Sequence, residues 1–344
     1  MKIMVTGSEG YIGSLLVPRL QAAGHVLTRV DTRLFRACAM APVDGQDQVR
    51  HIDIRDLDTA DLAGHDAIIH LAGLSNDPLS DLDPALTRAV NHAATTRLAE
   101  VARGAGVGQF VFSSTCSVYG FHGDAEITET SALNPLTVYA ESKVAAEQDL
   151  TALAAPGFKV THLRHGTAYG ASPMTRFDLV VNNLVAWAHA TGAVRLKSAG
   201  DAWRPLVHVE DICASFVAAL NDDTVAPVCR VFNIGITRDN MRILDLARMI
   251  AAEMEAPLEF AEGAEPDHRS YRVNADLALG GLPGFAPCWT VGDGIRQVIA
   301  QVRAAGLAID DVEGAKFGRI AHLRHLMATG RVDADLRWTG GQLA

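Results

Sequence analysis

A doubly wound α/β domain, a parallel sheet covered by helices on both faces with a smaller lobe towards the C-terminus, is the fold this 344-residue sequence predicts. Three observations predict it. Short β-rich runs without strict alternation recur through the first half, as strands buried on both faces require. Amphipathic helical stretches separate them, so successive strands are joined by crossovers and lie parallel. A glycine-rich turn follows the first run directly, where a strand hands over to a helix.

The elements follow in order. Lys2–Thr6 is an apolar strand, Gly13–Ala23 has helical spacing, and Val26–Asp31 is the second strand. Val49–Ile54 and Ala67–Ala72 give the third and fourth strands, and Pro84–Arg103 is a long helix that starts after an Asp. Phe110–Ser114 is the fifth strand, Thr137–Leu153 the next helix and Lys159–Arg164 the sixth strand. Beyond residue 166 the alternation breaks up. Helix Leu179–Thr191, strand Ala193–Lys197, a turn at Ala199–Ala202 and a strand-to-helix step over 207–220 describe a chain crossing between two lobes. Arg230–Gly235 returns to the sheet, Ile243–Glu255 and Thr290–Ala305 are helices of the smaller lobe, and Lys316–Ala328 is a basic amphipathic segment. The expected division is residues 1–170, with 205–235 returning to them, then 171–204 with 236–310 as the lobe, and 311–344 as a helical extension.

Composition narrows the function classes. At 344 residues, folding hides about three quarters of the unfolded surface, so no metal or disulfide staple is needed, and 49% hydrophobic with 20% charged residues is an ordinary globular balance. Five scattered cysteines with no CxxC pair argue against a zinc cluster or a disulfide framework. The N-terminus has no apolar signal core, and no run approaches the roughly 18 apolar residues of a membrane span. The expected compartment is the cytoplasm. A net charge of −10 disfavours nucleic-acid and membrane-surface partners, yet leaves room for a small anion in a local pocket.

The turn Thr6-Gly7-Ser8-Glu9-Gly10-Tyr11-Ile12-Gly13 has the GxxGxxG spacing that lets a backbone approach a pyrophosphate and aims a helix N-terminus at its charge. Asp31 ends the second strand 18 residues after Gly13, where a carboxylate accepts from the ribose diol of adenosine and repels a 2′-phosphate. NAD is therefore favoured over NADP, although Arg33 and Arg36 nearby leave room for a phosphate. Asp53 and Ile54, at the end of the third strand, are placed to meet the adenine.

Tyr139-Ala140-Glu141-Ser142-Lys143 sets Tyr139 and Lys143 on one helix face. The ammonium lowers the phenol pKa and can hold a nicotinamide ribose, while the phenol exchanges an alcohol proton as hydride moves at carbon. Ser113-Ser114-Thr115, ending strand five 24 residues before Tyr139, supplies a hydroxyl to orient the same oxygen.

These motifs, with HLAG (70–73), SSTCSVYG (113–120), LRHGTAYG (163–170) and WRPLVHVED (203–211), resemble the extended short-chain dehydrogenase/reductase superfamily. Its nucleotide-sugar epimerase/dehydratase branch is the most similar. The resemblance covers about residues 1–300 and implies a Rossmann-like domain, NAD as cofactor, and a substrate-binding lobe for a nucleotide-diphosphate sugar. It implies Thr115, Tyr139 and Lys143 as the catalytic triad. Gly7, Gly10, Tyr11, Ile12 and Gly13 match the pyrophosphate loop, and Asp31, Asp53 and Ile54 the adenosine contacts. Leu71, Ala72, Gly73, Asn91, Ser113 and His165 match further cofactor positions. At the substrate end, Asn183-Leu184 resembles the family's NNL segment and Arg204 its phosphate-binding arginine.

Departures from the family pattern bear on the reaction. Sugar 4,6-dehydratases carry Asp-Glu after the triad threonine, and the related decarboxylases a Glu two residues on; Cys116-Ser117 stand here, so both reactions are disfavoured. Ala264-Glu265-Pro266-Asp267 replaces the family's RPGD, leaving Arg269 or Arg272 to compensate, and Thr167 replaces an asparagine that often meets the sugar nucleotide. The expected activity is a nucleotide-sugar epimerase acting at C4. An NAD(P)-dependent reductase or dehydrogenase of a nucleotide-linked keto sugar is the alternative, and a non-catalytic dinucleotide-binding regulator a third reading. The resemblance also implies a homodimer through the helices Pro84–Arg103 and Thr137–Leu153. Cys116 is expected to pack rather than react, His70 to be structural, and the strip Arg319, His322, Arg324 and His325 to be a solvated face or a cover over the lobe rather than a ligand.

Overall fold

Seven parallel strands form the centre of the computed structural model, which describes residues 1–43, 48–75, 83–123, 125–265 and 270–340. In chain order the strands are β1 (Lys2–Thr6), β2 (Val26–Val30), β3 (Val49–Arg50), β4 (Ala67–His70), β5 (Gln109–Thr115), β6 (Glu126–Ile127), β7 (Lys159–His165), β8 (Thr167–Tyr169), β9 (Val194–Ser198), β10 (Trp203–His208), β11 (Cys229–Ile234), β12 (Asn240–Arg242), β13 (Leu258–Glu265) and β14 (Arg272–Val273). The helices are α1 (Gly13–Ala22), α2 (Thr59–Leu62), α3 (the consecutive segments Pro84–Arg88, Ala89–Ala93 and Ala94–Gly104), α4 (Val138–Leu153), α5 (Val180–Thr191), α6 (Val209–Leu220), α7 (Ile243–Met254), α8 (Asp276–Gly281), α9 (Val291–Ala305), α10 (Ile309–Glu313) and α11 (Arg319–Ala328).

The large sheet runs β11-β7-β5-β4-β1-β2-β3 with every pairing parallel. Alternate side chains serve opposite faces, as strand geometry dictates. Ile3, Val5, Ile69 and Val111 pack with Leu16 and Leu20 of α1 and Phe216 of α6. Met4, Ile68, Phe110 and Phe112 pack with Leu98 of α3 and Ala146 and Leu150 of α4. Strand order reverses between β1 and β4, so the loops leaving them part and open a crevice at the carboxyl edge.

The smaller lobe has its own core, in which Val181, Leu184 and Val185 of α5 meet Leu246 and Ile250 of α7, Ile295 and Val298 of α9, and Leu196 of β9. Two small sheets, β12-β10-β8 and β13-β9, contribute to it, and a third, β14-β6, packs with Val118 and Tyr119 in a separate cluster. β11 is the edge of the large sheet, whereas β10, which the sequence groups with it, pairs with β8 and β12.

Three local differences from the sequence reading have physical causes. The third strand stops at Arg50 because Asp53 folds the chain back, its Oδ1 accepting from the Arg55 backbone N–H at 2.9 Å. The long helix contains a π turn over Ala89–Ala93 that carries Asn91 inwards. The tail helix α11 is not a solvated face. It buries Arg319, His322, Leu323 and Leu326, and with Val332 and Leu336 joins Leu74 and Leu86 in a satellite core against the N-terminal unit. Among the described residues no helix is long and apolar enough to cross a membrane, and no group of three or more His, Cys, Asp and Glu is placed to hold a metal ion.

Candidate active site

Two cavities open at the carboxyl edge of the large sheet and share Ile12, Leu71, Gly73, Ser75 and Arg176. The first is built largely of backbone. Gly7 takes a left-handed φ of 70°, and a Cβ there would lie 2.8 Å from the Ala72 nitrogen. A Cβ on Gly13 would lie 2.3 Å from the Gly7 carbonyl, so only glycine lets the turn close on α1. No side chain caps α1, which leaves its positive dipole end open to an anion, although the Ser14 and Leu15 N–H groups already donate to the Gly10 and Ile12 carbonyls. Gly10 and Ile12 line the same turn, and Tyr11 is anchored from behind, its phenol donating to the Gly170 carbonyl at 2.7 Å.

The part of this cavity beside β2 and β3 carries both charges and is already organised. Asp31 Oδ2 accepts from the Glu9 N–H at 2.9 Å and its Oδ1 from the Arg33 N–H at 2.7 Å, while burial pushes its carboxyl above the ordinary range. Arg33 is buried with Glu9 as an ion pair, Nε to Oε2 at 2.7 Å. That pairing engages one of the two cations the sequence left open for a 2′-phosphate, Arg36 being the other in this lining, and the Asp31 carboxylate fits NAD. Asp53 lines the cavity and is gripped by Arg55 at 2.9 and 2.6 Å; burial alone would raise its carboxyl, but these bonds hold it below the usual range. Ile54 is buried beside it.

Leu71, Ala72 and Gly73 line the middle of the cavity. Asn91 does not. Its Oδ1 accepts from the Leu74 N–H at 2.7 Å, and its Nδ2 donates to the Leu74 carbonyl at 2.9 Å and to Ser142 Oγ at 3.3 Å. It braces this loop from behind.

The second cavity begins where β5 ends. Ser113, Thr115, Tyr139, Lys143 and His165 all line it. Thr115 caps the short turn Cys116–Tyr119, its Oγ1 accepting from the Ser117 N–H at 3.1 Å. Thr137 caps α4, which fixes the helix that presents Tyr139 and Lys143. Lys143 is buried, donates from Nζ to the Ser113 carbonyl at 2.8 Å, and lies 6.0 Å from the Tyr139 ring centroid. Burial lowers its pKa to about 8, against the opposing pull of Glu147 one turn further on. Glu147 is itself paired with Arg164 at 2.6 Å below the strand ends.

His165 sits against Phe216 with ring centroids 5.3 Å apart, and burial lowers its pKa to about 3, so it is a neutral wall. His70 bridges Thr6 and Thr95 at 2.7 and 2.9 Å, a structural role. Cys116 is buried with Sγ donating to the Arg164 carbonyl, and burial pushes its thiol up, away from thiolate chemistry.

Thr167, Asn183, Leu184 and Arg204 line the far part of this cavity. Asn183 Nδ2 donates to the Phe177 carbonyl at 2.7 Å and Arg204 Nη1 to the Trp203 carbonyl at 2.9 Å. Arg272 does not line it; its guanidinium stacks 5.4 Å from the Trp203 ring centroid, and Tyr271 faces the cavity instead. Arg269, with Pro266 and Asp267, lies outside the described residues.

Sequence reasoning passed over Arg176, Arg195 and Lys197, which also line this cavity. Arg176 forks onto Asp178, Nε to Oδ1 at 3.1 Å, and reaches Ser75 Oγ at 3.0 Å, tying the segment before α5 to the loop after β4. The signal was there: Arg176 and Asp178 are the only charged residues between His165 and Arg195. Together Lys143, Arg176, Arg195, Lys197 and Arg204 face the cavity with Asp178 as the only carboxylate among its described lining residues. An acidic protein thus holds a locally basic pocket next to a tyrosine and a buried lysine.

The chain is similar in sequence and fold to known proteins. The family model described as NAD dependent epimerase/dehydratase family matches residues 3–235. The UDP-glucose 4-epimerase of Mycolicibacterium smegmatis is 31% identical over 310 residues, covering 87% of this chain and 97% of that protein. A dTDP-glucose 4,6-dehydratase of Streptomyces griseus is 30% identical, covering 87% and 93%. The solved structure of MoeE5 in complex with UDP-glucose and NAD superposes with a TM-score of 0.76 at 26% identity, covering 89% of this chain and 100% of that one. On its glycine turn, its parallel sheet and this match, the chain belongs to the NAD dependent epimerase/dehydratase family.

Proposed function

We propose that the protein is an NAD-dependent nucleotide-sugar epimerase that inverts a sugar carbinol, at C4, by transient oxidation and reduction. The observation that carries this reading is the pocket of five cations and one carboxylate that reaches Tyr139. Guanidinium and ammonium groups so placed suit the diphosphate of a nucleotide sugar, with Arg204, Arg176, Arg195 and Lys197 as its contacts and Thr167, Asn183 and Leu184 shaping the sugar and nucleotide ends. NAD, when bound, supplies the group that accepts hydride from carbon and gives it back.

The chain's own residues handle the proton and the orientation. The Tyr139 phenol oxygen takes the proton of the hydroxyl being oxidised and returns it afterwards. The Lys143 ammonium favours the phenolate and holds a ribose, and the Thr115 hydroxyl orients the reacting oxygen. Dehydration needs a separate acid at the position after Thr115. Cys116 is a buried thiol and Ser117 is bonded to Thr115, so neither supplies one, which favours epimerisation over the chemistry of the dehydratase relative.

We assign residues 1–170 and 205–235 to the dinucleotide-binding unit, 171–204 and 236–310 to the substrate lobe, and 311–344 to a helical extension. A homodimer through α3 and α4 fits their adjacent outer faces, where Ala85, Ala89 and Ala93 stand exposed at a four-residue spacing. The five unbridged thiols fit the cytoplasm. UDP-glucose is the substrate to try first, since it is named for both an epimerase relative and the MoeE5 complex. Incubated with the purified protein and no added cofactor, it is expected to interconvert with its C4 epimer without net formation of reduced NAD. Reduced NAD accumulating in step with sugar oxidation sinks the epimerase in favour of a dehydrogenase.

A further inference from the structure

Residues 319–338 lie beyond the family match and are strapped onto the two loops that frame the adenosine end of the cofactor cavity. Trp338 Nε1 donates to the Thr32 carbonyl at 2.7 Å, and His322 Nε2 lies 3.0 Å from the Leu34 carbonyl. Arg55, the partner of Asp53, donates to the Asp335 carbonyl at 2.8 Å, and Arg337 Nη2 bonds Asp56 at 3.0 Å. From this strap Arg319 and Leu336 reach the cavity wall, in the same lining as Gly7, Gly10, Tyr11 and Asp31.

Arg319 is the unusual member. Only 6% of it is exposed, its Nη2 donates to the Met174 carbonyl at 3.2 Å, and its guanidinium lies 4.4 Å from the Phe35 ring centroid. Among the described residues no carboxylate lies within ion-pair distance of it. A buried guanidinium without an anionic partner is costly, and a planar fork on a cavity wall is chemically matched to phosphate oxygens. Arg33, by contrast, already has Glu9.

We propose that Arg319 binds the pyrophosphate of the dinucleotide, which makes the C-terminal extension a working part of the cofactor site. The glycine turn grips the pyrophosphate from the sheet side with N–H groups and the extension supplies a charge from the opposite wall. Cofactor retention then depends on a segment that lies outside the family's matched region.

The test is exchange of bound NAD in purified holoenzyme against radiolabelled NAD, with ADP-ribose, adenosine and NADP as competitors. Arg319→Met is expected to speed exchange by about tenfold or more, with Arg319→Lys restoring much of the loss. ADP-ribose, which keeps the pyrophosphate, is expected to weaken by a similar factor, and adenosine to compete as before. Unchanged exchange in Arg319→Met overturns the proposal. So does equal weakening of adenosine, which marks a packing effect, and so does a loss confined to NADP, which assigns the cation to a 2′-phosphate. Should Arg319→Met fail to purify folded, Arg319→Gln against Arg319→Lys gives the same comparison.

Discussion

The cofactor cavity and the substrate cavity meet at Arg176 but are made by different means. The first is a product mainly of backbone: a turn between β1 and α1, the ends of β2 and β3, and the loop after β4, all within the first 75 residues apart from Val90, Arg176 and the C-terminal strap. The second is made of side chains that come from Thr115, Tyr139, Thr167, Asn183, Arg195, Arg204 and Tyr271, spread over more than 150 residues of chain. Backbone N–H groups do not change with side-chain identity, so one turn can serve a whole family. Side chains from separate loops can be exchanged one at a time, so a cavity of the second kind can change its specificity piece by piece.

A pair of variants breaks the comparison most sharply. Tyr139→Phe is expected to cut turnover by about 10²–10⁴-fold, as loss of a general acid–base does, while bound NAD measured by mass spectrometry stays at the wild-type level. Gly13→Ala is expected to do the reverse. Its Cβ would meet backbone at 2.3 Å, so retained NAD and melting temperature both fall before chemistry is touched. Loss of bound NAD in Tyr139→Phe, or a fall in turnover per bound NAD in Gly13→Ala, means the two cavities do not act as separate parts.

A smaller effect sharpens the same division. Burial lowers the Lys143 pKa from the ordinary 10.5 to about 8, so the ammonium is intact below that pH and is lost as pH rises through it. The kcat/KM profile is expected to fall several-fold on the alkaline side with a midpoint near that value. His165, held near 3 by burial, adds no second titration in the working range. A profile flat to pH 10 in the holoenzyme contradicts a role for the Lys143 charge.

What the sequence made legible was what is local in the chain. The glycine turn and Asp31 are linked by one helix and one strand, and Tyr139 and Lys143 by one helical turn, so periodicity alone places them on common faces. Residues whose role depends on distant packing were harder to place. Asn91 sits on the expected helix, but a π turn aims it at Leu74 instead of the cavity. Arg272 is five residues beyond the segment that replaces the family motif and turns onto Trp203, because neighbouring strand residues point to opposite faces. Arg176 carries no motif of its own; its importance comes from a crossing of two lobes that no local pattern records. The tail helix reads as weakly amphipathic with basic residues, and nothing in its periodicity says that the face bearing Arg319 and His322 is the buried one.

The strap also sets an order in time. The cavity that begins at Gly7 has Leu336 in its wall, so it spans nearly the full length of the chain. During synthesis the ribosome must release the chain past residue 336 before that wall exists. The sheet and glycine turn can form while the lobe is still being made, but the full cavity wall cannot. Its last side chains arrive after both lobes have been synthesised.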